Sequence, residues 1–226
     1  MNKLCLKHPL GCVAMVAALA MFGAAGAWAA PIINDANFQS DTVGSTGYVY
    51  DPTSAWSFSS EAGVSSSGSP FLTGTPPGGG TQAAFLQSLG IGQNSAPGTT
   101  GSVGSISQLV SGLSVGTSYL LQFYLASRPG YAADTVNVSL GGASLGGFVN
   151  SATSFVQESV AFTATASSEL LSFAGSTQLA ALESDANIDL VSLSVIPEPA
   201  SLAVFGIGLF GLGALLRQRR PSLARS

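Results

Sequence analysis

Ser118–Ser127 reads SYLLQFYLAS, in which Tyr119, Leu121, Phe123 and Leu125 alternate with Leu120, Gln122, Tyr124 and Ala126. Side chains two apart share a strand face, so both faces here are largely apolar. That predicts a central strand covered on both sides, or one inside a sandwich core. DTVNVSL (134–140) alternates more cleanly, with Val136, Val138 and Leu140 inward and Asn137 and Ser139 outward. AWSFS (55–59), AAFLQ (83–87), VQESVAFTA (156–164) and LLSFA (170–174) predict further short strands. Turn-rich stretches separate them: GTPPGGGT (74–81), NSAPGTTGS (94–102) and SLGGASLGG (139–147). No long segment carries helical periodicity, and no tandem repeat is present. Many short strands of this kind predict an all-β domain, a β-sandwich or jelly roll. Ser40–Gly80 is rich in serine and glycine, yet Trp56, Phe58, Phe71 and Leu72 make it too apolar for wholesale disorder. It is expected to be ordered, with long loops.

The two ends follow different patterns. Lys3 and Lys7 precede the apolar run Val13–Ala25 and the small-residue site Ala27-Trp28-Ala29. This is the order of a secretory signal peptide, assigned to 1–29. At the other end, residues 200–216 are all apolar or small. As a helix they would extend about 25 Å, close to the hydrocarbon thickness of a bilayer. Arg217, Arg219 and Arg220 follow at once, which reads as a stop-transfer signal that leaves the C-terminus in the cytoplasm and the body outside. The expected organisation is a signal peptide (1–29), an extracellular β-sandwich body (30–196) and a tail (197–226) with one transmembrane helix at about 200–216.

Composition narrows the chemistry. Of the 226 residues only 8% are charged, and Cys5, Cys12 and His8 all fall in the signal peptide. The body therefore has no His, Cys or Lys. That excludes a Ser-His-Asp triad, a thiol nucleophile, a lysine Schiff base and an imidazole metal site. It carries ten acidic residues against one base, Arg128, a net charge of −9. Such a surface repels nucleic acid and anionic membrane, and suits divalent cations or neutral polymers. Arg128 is expected to be a structural ion-pair partner. A glycosidase-like carboxylate pair remains chemically available, although no two acids stand out in sequence. For binding, Tyr48, Tyr50, Trp56 and Tyr131 are the candidate platforms, since a flat ring packs on the apolar face of a sugar. Each also reads as core or strand packing, Trp56 above all. Tyr131 follows the turn Arg128-Pro129-Gly130 and is placed at a loop tip.

Hydropathy explains an anchor but not the Pro197-Glu198-Pro199 before it, where the prolines hold the chain extended. Val-Ile-Pro-Glu-Pro, a glycine-rich apolar run and an arginine cluster, in that order, resemble the PEP-CTERM sorting tail. The resemblance implies recognition by exosortase, a membrane cysteine protease of Gram-negative bacteria that make exopolysaccharide. It implies export through the inner membrane, transient anchoring, cleavage near the motif and release to the cell surface or matrix. The extension Pro221–Ser226 is longer than that family's usual tail. Asn37-Phe38, Trp56, GIGQ (90–93), VGTSYLLQFYLASRPG (115–130), FTA (162–164) and IDLVSLSV (188–195) fall in the order of galactose-binding-like jelly rolls. The body resembles those domains, which commonly bind carbohydrate.

In IDLVSLSV, strict alternation sets Asp189 on the face of Val191, Leu193 and Val195, so it is expected to be buried and to need a partner: neighbouring backbone amides that it caps, Arg128 or a metal. The jelly-roll resemblance implies a structural calcium where the last strand meets the N-terminal segment, with Asp189, Asp35 and Asn37 as oxygen donors. Gln39 stands where related domains often carry a glutamate. No other cofactor is expected. Together these readings predict an exported, non-catalytic surface or biofilm-matrix protein associated with exopolysaccharide. The alternative is a secreted polysaccharide hydrolase acting through paired carboxylates.

Overall fold

Among the described residues two sheets, antiparallel except for one short strand, account for almost all the regular structure. The computed structural model describes residues 31–45, 47–90, 101–176 and 183–197. The signal segment 1–29, Glu198 and Pro199, the apolar run 200–216 and Arg217, Arg219 and Arg220 lie outside the described residues, as do 91–93. Among the described residues no helix is long and apolar enough to cross a membrane.

With strands numbered in chain order, one sheet runs β1 (Tyr48–Tyr50), β3 (Ala62–Ser66), β4 (Gln82–Ser88), β12 (Ser184–Val195), β6 (Ser118–Ser127), β10 (Val156–Thr163). The short β7 (Ala132–Ala133) adds to it in parallel, against the start of β12. The other sheet runs β2 (Ser57–Phe58), β5 (Ser105–Ser111), β11 (Ser168–Ala174), β8 (Val136–Leu140), β9 (Ala143–Phe148). The fold is a β-sandwich of jelly-roll type.

The alternation in the sequence sets the core. Tyr119, Leu121, Phe123 and Leu125 of β6 meet Val136, Val138 and Leu140 of β8 and Leu171 and Phe173 of β11 in one buried cluster. β6 lies between β12 and β10, with one face in the core and Leu120, Gln122 and Tyr124 half-buried on the other, so of the two readings its apolar faces allow it is the sandwich-core strand. SLGGASLGG is only in part a turn: Gly141 and Gly142 take positive φ, and β9 begins at Ala143. On the outer face of the five-stranded sheet, Ser57, Ser107, Ser172, Ser139 and Ser144 stand in register, one per strand. β5 escapes a reading by apolar runs because its outer face is mostly serine.

β12 departs from strict alternation. Its register against β6 shifts between Asp189 and Ser192, and Leu190 takes a positive φ of 47° there. Ile188 and Val191 both enter the core across this bulge. Asp189 therefore lies on the face opposite Ile188, away from the sandwich interior, and not beside Val191 as unbroken alternation predicts. It is nevertheless fully buried, because the N-terminal segment reaches the strand there: Val191 N–H donates to Ala36 O at 2.9 Å.

Candidate functional site

The outer face of the seven-stranded sheet gathers aromatic residues over small ones. Pairing of β1, β3, β4 and β12 sets Tyr50 against Gly63, Gly63 against Phe85 and Phe85 against Asn187. The β3–β4 connection folds back over this face, stacking Phe71 on Phe85 at 4.1 Å between ring centroids. Asn187 Nδ2 donates to Phe71 O at 3.0 Å and fastens the connection down. Tyr48 and Tyr50 stand edge-on to Phe71 at 5.1 and 5.8 Å. Only the rim of the cluster is open: Tyr131 is 42% exposed and Tyr50 37%.

Arg128 joins that rim to the body. Its guanidinium carbon lies 4.0 Å from the Phe71 ring centroid and 3.7 Å from that of Tyr131. Nε donates to Pro70 O at 3.0 Å, and Nη1 pairs with Glu183 at 2.6 Å and with Asp185 at 3.4 Å. The single base of the body is thus an ion-pair partner, as its isolation among acids predicts. Gln87 extends the network, since Tyr50 O–H donates to its Oε1 at 2.8 Å and its Nε2 donates to Glu183. Burial pushes the Tyr50 hydroxyl up to about 12, so it stays a donor. Asp185, 1% exposed, is raised to about 7, chiefly by burial and in spite of Arg128; Glu183 beside it adds to the rise.

Trp56 belongs to the core. It is 2% exposed, packs on Phe38 and Phe173, and donates through Nε1 to Asp35 O at 3.2 Å. Its ring offers no open platform. Its edge lines a dip of about 310 Å³ together with Asp51, Pro52, Thr53, Ser54, Ser57 and Phe58. Asp51 is the one acid in that lining, so no carboxylate pair is placed there.

The structure brings Asp35 and Asn37 to the strand that carries Asp189, through the Ala36–Val191 bond. Among the described residues neither oxygen of Asp189 accepts a hydrogen bond of good geometry, the Leu190 amide being only a weak partner. Burial raises its pKa to about 7, the Leu190 amide works against the rise, and the Asp35 charge adds to it. The Asp35 carboxylate accepts from Gln39 N, Ser40 N and Ser40 Oγ. Gln39 spans between its own segment and β4, its Nε2 donating to Asn37 O and Gln82 O. Among the described residues no three His, Cys, Asp or Glu side chains gather as a metal site. Asp189 thus leaves a buried carboxylate, costly without a partner, against the segment that carries Asp35 and Asn37.

No curated protein sequence matches the chain. Its fold is similar to that of TmCBM61 in complex with beta-1,4-galactotriose, at 12% identity, covering 74% of this chain and 99% of that one, with a TM-score of 0.46. It is similar to the CBM22-1 xylan-binding domain from Paenibacillus barcinonensis Xyn10C at 13% identity, with 72% and 93% covered and a TM-score of 0.42. The enzymatically active domain of bacteriophage CBA120 tailspike protein 4 is 11% identical, with a TM-score of 0.45; 73% of this chain matches only 21% of that one. At these identities the likeness is one of fold. The tail gives the firmer result: residues 195–220 match the PEP-CTERM protein-sorting motif, which marks Gram-negative export with a transient membrane anchor before release.

Proposed function

We propose that this chain is an exported, non-catalytic surface or biofilm-matrix protein, sorted by an exosortase-type membrane protease and retained by exopolysaccharide. The observation that carries the reading is the exposed Tyr131 ring, backed by the Arg128 guanidinium, which itself rests on Phe71. A ring held flat by a cation on one side presents its other side to solvent at little entropic cost, which suits stacking on a sugar. Tyr50 and Glu183 at the same rim would supply a hydroxyl and a carboxylate for sugar hydroxyls, with Tyr48 supporting Tyr50. With a body charge of −9, a neutral glycan is the fitting class.

A structural calcium would be held by Asp189, with Asp35 and with Asn37 contributing oxygen. Bound there it would neutralise the buried carboxylate and pin the N-terminal segment to β12. It has no part in glycan chemistry in this proposal.

The hydrolase alternative rests on one feature: Glu183 and Asp185 are adjacent, and burial raises Asp185 as a general acid requires. Two facts count against it. Asp185 is buried, and both carboxylates are engaged by Arg128.

The test is genetic. Deleting the producer's polysaccharide synthesis should move the processed protein from the matrix to the culture medium with its total amount unchanged. Equal retention without polysaccharide would refute glycan anchoring.

A further inference from the structure

The two ends of the folded body meet at one pole of the sandwich. Ile32 bridges to Ser111 at the end of β5, and Ile196 N–H donates to Ser118 O at the start of β6. The connections 112–117 and 164–167, which cross between the sheets, close this pole and bond to each other through Leu113 N–H to Ser167 O and Gly116 N–H to Ala164 O. The Arg128–Tyr131 cluster sits at the opposite pole, where β6 ends and β12 begins.

The poles differ sharply in charge. The two connections contain no Asp, Glu, Lys, Arg or His. Glu169, just beyond them, is buried, and its Oε1 accepts from Thr165 N at 2.8 Å and Ala166 N at 2.9 Å. Here the exposed side chains are aliphatic or hydroxylic, with Val115 66%, Ile32 65% and Val195 48% exposed. One step along the five-stranded sheet, the cross-strand pair Leu109 and Leu170 is also exposed. In a body of charge −9, this is the pole that meets an anionic bilayer without repulsion.

The chain leaves little slack. Ile196 is hydrogen-bonded into the sheet, and the apolar run begins at residue 200. Four residues reach at most about 14 Å, less than two Debye lengths at physiological salt. A body tethered so closely must present some surface to the lipid.

We infer that, while the chain is anchored, the pole bearing Ile32, Val115 and Val195 rests in the headgroup region of the membrane. It thereby holds Pro197–Pro199 at the interface and aims the Arg128–Tyr131 cluster outward. The inference rests on the reading of 200–216 as a membrane span. The ligand is the lipid surface itself: aliphatic side chains enter the headgroup–acyl boundary, as on other interfacially bound surfaces. The sorting motif is then offered to a membrane protease by the rigid end of β12 and not by a flexible linker.

The test uses the full chain in vesicles of phosphatidylethanolamine and phosphatidylglycerol, with Cys5 and Cys12 replaced by serine. Single substitutions Val115→Cys, Ser151→Cys and Leu209→Cys carry an environment-sensitive fluorophore, and doxyl-labelled lipids serve as quenchers. Ser151 lies in the β9–β10 connection at the far pole, and Thr165→Cys serves as a second probe of the near one. The labels at 209, 115 and 165 should lose most of their fluorescence, and the label at 151 almost none. Quenching at 209 with none at 115 and 165 overturns the inference and leaves the span intact. Absence of quenching at 209 overturns both.

Discussion

Arg128 and Tyr131 stack at 3.7 Å, on opposite sides of the Pro129-Gly130 turn that sequence alone marks as a loop tip. Gly130 takes a φ of 78°, which folds the chain back so that the ring comes to lie on its own turn's guanidinium. The second partner, Phe71, arrives from far away in sequence. One side chain therefore ties together the β3–β4 connection, the start of β12 and the exposed ring.

Removing that tie should be costly. Arg128→Ala would leave Glu183 and the buried Asp185 facing each other unpaired, and loss of a buried ion-pair partner costs about 3–5 kcal/mol. Urea unfolding checks this. Arg128→Lys should lose part of the same amount, because an ammonium keeps the charge but neither the planar stack nor the fork of donors. A loss in Arg128→Ala no larger than that of a surface substitution would show the network to be ornamental.

The second expectation concerns pH and calcium. Asp189 titrates near 7 in the folded chain, against a reference of 3.8. The native state therefore holds an extra proton between these values, so stability falls as pH rises through that window and levels off above it. Asp185 acts with the same sign. The protein should melt at a lower temperature at about pH 8 than at about pH 5, and Asp189→Asn should flatten part of that slope. At the higher pH, calcium should raise the melting temperature of the native protein and leave Asp189→Asn unmoved. Identical melting curves in chelator and in saturating calcium would exclude the site.

Trp56 supplies a contrast to the rim tyrosines. Trp56→Ala should cost about 3–5 kcal/mol, as large core truncations do. In the milder Trp56→Phe, glycan retention should stay native once folding is matched. A binding defect without a change in melting temperature would return Trp56 to the surface.

What the sequence revealed and what it hid have separable physical causes. β6 and β8 were legible because one face of each strand is uniformly apolar, and Val136, Val138 and Leu140 occupy the core as their alternation predicts. β9 was masked by its glycines, since Gly146 and Gly147 read as a turn yet pair with Val138 and Asn137. The face of Asp189 was not legible, because a bulge at Leu190 leaves no compositional trace and shifts every later residue by one. The rim network was hidden for a different reason. Tyr50, Gln87, Arg128 and Glu183 come from four distant segments, and only register across β1, β3, β4, β12 and β6 brings them together. The tyrosines could be named as platforms; their partners could not.

Processing offers an independent check on the tail. Mass spectrometry of the protein recovered from the cell surface should place the new C-terminus near Pro197–Pro199. Recovery of an intact tail through Ser226 outside the cell would contradict release by cleavage.

Affinity electrophoresis of the released protein, in gels with and without the producer's own exopolysaccharide, reads glycan binding on the protein itself. The native protein should be retarded by the polysaccharide. Tyr131→Ala should migrate almost freely while melting nearly as the native protein does, since an exposed cation–π contact is worth only about 0.5–1 kcal/mol. Equal mobility of the native protein in both gels would contradict the account, as would retardation that Tyr131→Ala leaves unchanged.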